Sequence, residues 1–465
     1  MPEGRIRRNP PPPKDDDLTP GVGERIRGEP RDRSGARNTN RGMRIHHEPI
    51  EVLHRRQDHS TAEHLLAPTL FETVSAPARS LVGVPVLESP PPTSHLRVFR
   101  WGSSVPCAWG HSAEPADGAV WRDSASKCDH GGMRSALVTH PSSLDHVAPW
   151  DHPERPERVT AAVEGARDSD AEIIEVAARK ATRSELLAVH TERYLERLQE
   201  LSTEGGGALD SDTYVSAASW KAAQFAAGAG LTAVEAIDAG HADFGFAAVR
   251  PPGHHAEAAR AMGFCLLNNV AVTAAALVRR GARVAVVDWD AHHGNGTQDL
   301  FIGSPDVLYL STHHAPFYPG TGRVEEVGGG LGTGTSVNIP LPGGSGGRSY
   351  RDAFARVVLP ILGQYGPDWL LVSAGYDGHA EDPLGGMALI ATDYEAMAAS
   401  LGIAMDRTNT VFLLEGGYNL RAVKESVTAT LNGFAFGSLP IERPRTGDPW
   451  VDHAVAVDSL FWDLD

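Results

Sequence analysis

Four ionisable residues crowd the stretch "VVDWDAHHGNG", in which Asp288, Asp290 and His292 recur at every second position. While the chain stays extended, side chains at i, i+2 and i+4 project to one side, with Trp289 and Ala291 opposite. An aspartate and a histidine two apart form a compact two-ligand clip for a divalent metal. A third ligand from another strand end completes a protein set with a position open to water, the arrangement of a catalytic zinc site. Asp377, closing "LLVSAGYD", is the candidate. A lone Asp-x-His could be a polar strand end; its significance comes from the other groups that fall at matching places.

His254 and His255 in "RPPGHHAEAARAMGF" follow two prolines and a glycine, so their loop cannot start as a helix. With the metal ligands supplied elsewhere, a histidine held near a water molecule serves as general base and acid, because its pKa lies close to neutral. Tyr418 follows two glycines in "LEGGYNL", which let its loop approach a substrate, and offers an O–H to a developing oxyanion.

The elements that must position these groups are short β-branched runs alternating with Ala/Leu-rich segments. The strand candidates are 135–140, 244–250, 283–290, 307–313, 368–377 and 410–418, with helices such as "SWKAAQFAAGAGLTAVEAIDAG" and "NNVAVTAAALVRRG" between them. Near-continuous apolar strands separated by helices predict an α/β fold, a single doubly wound parallel sheet covered by helices on both faces. Every polar cluster falls at a strand's C-terminal end, the edge where open α/β sheets bind ligands.

The chain of 465 residues is 41% hydrophobic, enough to bury a substantial core. No run of 18 apolar residues occurs and the N-terminus shows no apolar leader, so the expected location is the cytoplasm, with no membrane partner. Cys107, Cys128 and Cys265 are too few and too irregular for a disulfide framework or a Cys-based zinc site. Residues 1–132 carry 16 of the 33 prolines and 18 Lys/Arg against 17 Asp/Glu, which predicts a largely disordered extension. Residues 133–437 form the predicted catalytic domain and 438–465 its C-terminal tail. The part beyond residue 132 is acidic, with 24 basic against 42 acidic residues, which argues against a nucleic-acid partner.

Together "HPERPERV", "RPPGHHAEAARAMGFCLLNN", "VVDWDAHHGNGTQDLF", "FYPGTG", "SAGYDGHAEDPLGGM" and "LEGGYNL" resemble the histone deacetylase superfamily, which also contains acetoin-utilisation proteins and acetylpolyamine amidohydrolases. The resemblance runs from Met133 to about residue 437. It implies zinc on Asp290, His292 and Asp377, a donor set of two carboxylates and one imidazole that by its own chemistry also suits iron(II), with His254 and His255 as the catalytic pair and Tyr418 polarising the acyl carbonyl. Asp288 would orient His254 and, with Ser311, border a structural potassium ion. Gly263, Phe264 and Tyr318 would line a narrow substrate tunnel, and Asp212 would grip the substrate at its rim. Asn295 resembles class II members, making an amide the partner of His255 and Asp288 the only carboxylate behind the pair. His255 is then the more readily neutral of the two and the better base. Leu384 falls where the polyamine-selective members carry a gatekeeping Glu.

The implied activity is hydrolysis of acetyl-lysine in proteins by a metal-activated water. The alternatives are deacetylation of polyamines or another small acetylated amine, and a non-catalytic acyl-amine binder. Dimanganese ureohydrolases share the sheet architecture but need acidic ligands where this chain has Gly294 and His379.

Overall fold

The computed structural model describes residues 132–148, 151–438 and 441–464. The extension expected over residues 1–132 therefore lies, apart from Gly132, outside the described residues, as do Cys107 and Cys128.

Ten strands follow in chain order: β1 (Arg134–Thr139), β2 (Glu172–Ala177), β3 (Gly206–Ala208), β4 (Tyr214–Ser216), β5 (Phe244–Ala247), β6 (Val284–Asp288), β7 (Val307–His314), β8 (Ser336–Leu341), β9 (Trp369–Ala374) and β10 (Thr410–Leu414). β3 and β4 make a small antiparallel hairpin. The other eight form one sheet in the order β2-β1-β5-β10-β9-β6-β7-β8, parallel throughout.

Every residue of β6, β9 and β10 is buried, as strands covered on both faces must be. Side chains alternate between two apolar layers. Phe246, Val287, Val372 and Phe412 join the helices Ala391–Ala404 and Leu420–Phe436 on one face. Val286, Leu371, Val411 and Leu413 meet Ser219–Asp238 and Asn269–Arg279 on the other. Each such side chain contributes about 1.5–3 kcal/mol by leaving water. The helix Pro449–Asp458 sends Val451 and Ala454 into the first layer, so the C-terminal segment is packed onto the sheet domain.

All six strands read from the sequence exist; the polar clusters after β5, β9 and β10 begin once the strand has ended, whereas Asp288 still belongs to β6 and residues 311–314 to β7. Two strands of the main sheet were missed, β2 and β8, and these are its two edges. β2 is largely exposed and carries Glu172 and Glu175, while β8 contains Pro340. Edge strands tolerate charge and proline because one side of their backbone needs no ladder partner, which is why the apolar-run signal fades there.

β5, β10, β9 and β6 are consecutive neighbours, and their registers align Ala247 with Leu413, Leu414 with Ala374, and Asp288 with Ser373. Four loops that are remote in sequence thus leave the sheet side by side at one level. Among the described residues no helix is long and apolar enough to cross a membrane.

Candidate active site

The extended strand ends at Asp288, so Asp290 and His292 do not owe their placement to strand alternation as the spacing suggested. Local hydrogen bonds hold them instead: Asp290 N–H donates to Asp288 Oδ1 at 3.2 Å and His292 N–H to Asp290 Oδ1 at 2.9 Å. Asp377 comes from the loop after β9. Ala291 N–H fixes its Oδ1 at 2.8 Å, and Gly416 N–H fixes Asp290 Oδ2 at 2.7 Å. The other oxygen of each carboxylate faces His292 Nδ1, at 3.1 Å for Asp290 Oδ1 and 3.0 Å for Asp377 Oδ2.

These donor atoms lie within 4.8 Å of one another, and both aspartates are fully buried. Burial and the neighbouring Asp290 raise the Asp377 carboxyl, while burial is outweighed at Asp290 by His254 and His292, which hold it low. Two carboxylates around one imidazole nitrogen call for a shared positive charge. The oxygen and nitrogen donors, each oriented by a backbone N–H or a neighbouring side chain, fit a divalent ion. A second set, His254, Cys265 and Glu415, lies equally close. Its groups are otherwise engaged, His254 by Asp288 and Glu415 by Gly253 N–H, His254 N–H and Ser373 Oγ.

The two histidines sit side by side with ring centroids 4.0 Å apart and different partners. His254 Nδ1 meets Asp288 Oδ2 at 3.1 Å, and Tyr309 O–H donates to the same oxygen. Burial opposes charge on His254, but Asp288 and then Asp290 outweigh it and raise the ring to about 10. His255 Nδ1 meets Asn295 Oδ1 at 2.9 Å, an uncharged partner. Burial, then His254 and His292, push His255 well below its ordinary value. The two rings thus face the unlike partners expected of them, a carboxylate for His254 and an amide for His255. One expectation needs correction: Asp288 is not the only carboxylate behind the pair. Glu415 is buried beneath its backbone, and Glu257 Oε1 accepts from Asn295 Nδ2 at 3.0 Å.

Tyr418 enters from the loop after β10. Asp382 accepts its N–H at 2.6 Å, and Asn419 caps the helix that follows. Arg158 is buried, donates to the carbonyls of Glu415 and Gly417 on the same loop, and places its guanidinium 4.8 Å from the Tyr418 ring centroid. Burial holds the phenol well above its ordinary pKa, so it remains an O–H donor.

His254, His255, Asp290, His292 and Tyr418 line a cavity of about 250 Å³, together with all five tunnel residues anticipated from the sequence, Asp212, Gly263, Phe264, Tyr318 and Leu384. Gly263 has φ +55°, and an added Cβ would sit 2.4 Å from the His255 ring. Phe264 adopts φ 67°, a conformation that costs a bulky residue energy and is held by Thr213 Oγ1 accepting its N–H at 3.1 Å. Phe317, not singled out beforehand, stacks between His292 and His314 at centroid distances of 5.3 and 4.1 Å. Ser311 pairs with Asp288 across β6 and β7, and its hydroxyl meets His313 Nδ1 at 2.9 Å. A second acidic ligand at position 294 has no room: a Cβ there would lie 2.2 Å from Asp288 Oδ2.

Arg158, Glu154, Asp382, Glu415 and Glu257 escaped the sequence reading although all five stand inside the motifs that carry the resemblance. Their positions were visible; the partners they face were not. A larger surface crevice of about 890 Å³ lies between the helices Ala391–Ala404 and Leu420–Phe436 and gathers no comparable donor set among the described residues.

Fold and cavity together define an α/β enzyme scaffold with candidate metal donors beside a histidine pair and a phenol. The histone deacetylase domain matches residues 152–434. A probable deacetylase of Archaeoglobus fulgidus is 36% identical over 66% of this chain and 89% of its own length. Histone deacetylase 15 of Arabidopsis thaliana is 42% identical over 66% of this chain and 57% of its own length, and the histone deacetylase-like amidohydrolase of Pseudomonas aeruginosa is 42% identical over 51% and 64%. The crystal structure of the HDA15 HD domain superposes with a TM-score of 0.66 at 38% identity, covering 70% of this chain and 97% of that one. The chain belongs to the histone deacetylase family. It is a hydrolase of amide bonds, a deacetylase whose substrates are acetylated.

Proposed function

We propose that the protein is a zinc-dependent deacetylase of acetyl-lysine in proteins, acting through His254, His255 and Tyr418. The observation that carries this reading is that Asp290 and His292, clustered with Asp377, line one cavity together with the histidine pair and Tyr418.

A divalent ion held by Asp290, His292 and Asp377 would supply Lewis-acid polarisation of the acyl carbonyl and a more acidic water. His255 Nε2 takes a proton from the attacking water, and the pair returns one to the leaving amine. His254, kept charged by Asp288, stabilises the negative charge that develops beside it. The Tyr418 O–H donates to the oxyanion, and the loop anchored by Arg158 and Asp382 keeps it aimed there. Phe264 and Tyr318 flank the aliphatic part of the substrate and exclude water from the reacting end. Zinc suits this donor set; two carboxylates and one imidazole also suit iron(II). A potassium ion beside Asp288 and Ser311 belongs to the same proposal.

Acetylated small amines form the second reading, supported by Asp210 and Asp212 near the mouth, where Asp210 Oδ1 accepts the Asp212 N–H at 3.0 Å. Leu384 at the same mouth favours the peptide. Rates on an acetyl-lysine peptide, on acetylputrescine and on acetylspermidine, with Asp290→Ala as the blank, decide between them. A higher kcat/KM on the polyamines would overturn the first reading, and binding without turnover would make the protein an acyl-amine binder.

A further inference from the structure

Asn295 stands at the start of the helix Asn295–Phe301, and its side-chain amide lies among three groups, two of them acceptors of fixed character. Its Nδ2 is 3.0 Å from Glu257 Oε1 and 3.4 Å from Met262 Sδ, while its Oδ1 is 2.9 Å from His255 Nδ1. A carboxylate and a thioether can only accept. They claim the two amide hydrogens, and the oxygen is left to face the imidazole. Facing an acceptor, neutral His255 must carry its hydrogen on Nδ1, which leaves the lone pair on Nε2. The opposite amide orientation would set an oxygen against the Glu257 carboxylate and an N–H against His255 Nδ1, driving the ring to the Nε2–H form.

We propose that Glu257 is a positioning residue that fixes the orientation of the Asn295 amide and, through it, the tautomer of His255. The inference rests on the reading above in which His255 Nε2 removes the proton from water.

Glu257 is well placed for the task because its backbone is clamped. Its N–H donates to the carbonyl of Arg260 at 2.9 Å, and its carbonyl meets His190 Nδ1 at 3.0 Å. His190 Nε2 in turn accepts the N–H of Asn268 at 2.9 Å. The arrangement separates two tasks that a direct carboxylate performs together. Asp288, in contact with His254, both orients that ring and places charge against it. At His255 the carboxylate is one side chain further away, so the tautomer is set while an uncharged amide touches the ring. The carboxylate also polarises the amide and makes Oδ1 a stronger acceptor than it would be alone.

The test uses the full-length protein labelled with ¹⁵N histidine, with the His255 signals assigned by their loss in His255→Gln. Wild type and Glu257→Gln, whose side-chain oxygen still accepts from Asn295, should both show the Nδ1–H tautomer. Glu257→Ala should shift the population towards Nε2–H. Glu257→Lys, which puts a donor in place of the acceptor, should invert it. On an acetyl-lysine peptide, kcat should fall about tenfold or more in Glu257→Ala with little change in KM and recover in Glu257→Gln, the scale expected for losing an outer hydrogen-bond partner. An unchanged Nδ1–H tautomer in folded Glu257→Ala and Glu257→Lys would overturn the proposal. A shifted tautomer with unchanged kcat would uphold the positioning by Glu257 and instead remove His255 as the base.

Discussion

Asp377 Oδ2 lies 3.0 Å from His292 Nδ1 although 85 residues separate the two in the chain. The contact exists because β9 and β6 are parallel neighbours in register, with Ser373 opposite Asp288, so the loops after both strands start at the same level. Parallel pairing of non-consecutive strands therefore brings together a donor set that no local segment contains.

Removing one donor should abolish metal retention. Asp377→Ala is expected to bind less than one zinc per chain by elemental analysis, and added zinc should raise the melting temperature of wild type but not of the variant. At a free concentration a thousandfold above Kd the linkage stabilises the folded protein by about 4 kcal/mol. A variant that keeps one tightly bound ion would remove Asp377 from the ligand set.

Tyr418→Phe deletes only the hydroxyl from the cavity wall. With Arg158 and Asp382 still holding the loop, kcat should fall about 10²- to 10³-fold while KM and bound metal change little, the usual cost of one oxyanion donor. A change confined to KM would assign the phenol to substrate binding.

Leu384→Glu adds a carboxylate to the wall of the cavity that Asp212 also lines. The ratio of kcat/KM for acetylspermidine to that for the peptide should rise about tenfold, equivalent to about 1.4 kcal/mol from one partly exposed charge pair. An unchanged ratio would place the selection of cationic chains elsewhere.

Glu154 gives the pH dependence of the fold. It is fully buried and bonded by Arg250 Nε at 2.5 Å and Arg158 Nη1 at 2.9 Å. Burial alone would raise its carboxyl, but Arg250 and then Arg158 hold it down at about 2. The folded value is depressed below the unfolded one of about 4.3, so the carboxylate contributes about 3 kcal/mol at neutral pH. That contribution is present above about pH 4.3 and is lost as pH falls towards and through 2. Urea midpoints of wild type and Glu154→Gln should differ most at pH 7, with the gap roughly halved at pH 3 and closing as pH falls through 2. A constant gap over that range would show that the ionised carboxylate is not what stabilises the fold.

Much of the site was legible because its signals are local. Asp288, Asp290 and His292 announce themselves by spacing at the end of an apolar run, His254–His255 by their place after two prolines, and Tyr418 by the glycines before it. The central strands were legible for a related reason: burial on both faces demands near-continuous apolar sequence. The edges β2 and β8 escaped because an edge backbone accepts Glu and Pro, so the same pressure on sequence is missing.

The order of residues along the chain is enough to show which chemical groups the protein owns and that they end up on one rim of a parallel sheet. The grouping of Asp377 with His292 was already legible there, whereas three other pairings appear only in the folded chain: Arg158 with the Tyr418 loop, Glu415 with the backbone of the histidine pair, and Glu257 with Asn295. The physical reason lies in the range of the forces involved. Local spacing specifies helix, strand and turn, whereas hydrogen-bond partners are selected by the order and register of strands, which follow from packing the whole chain around one core.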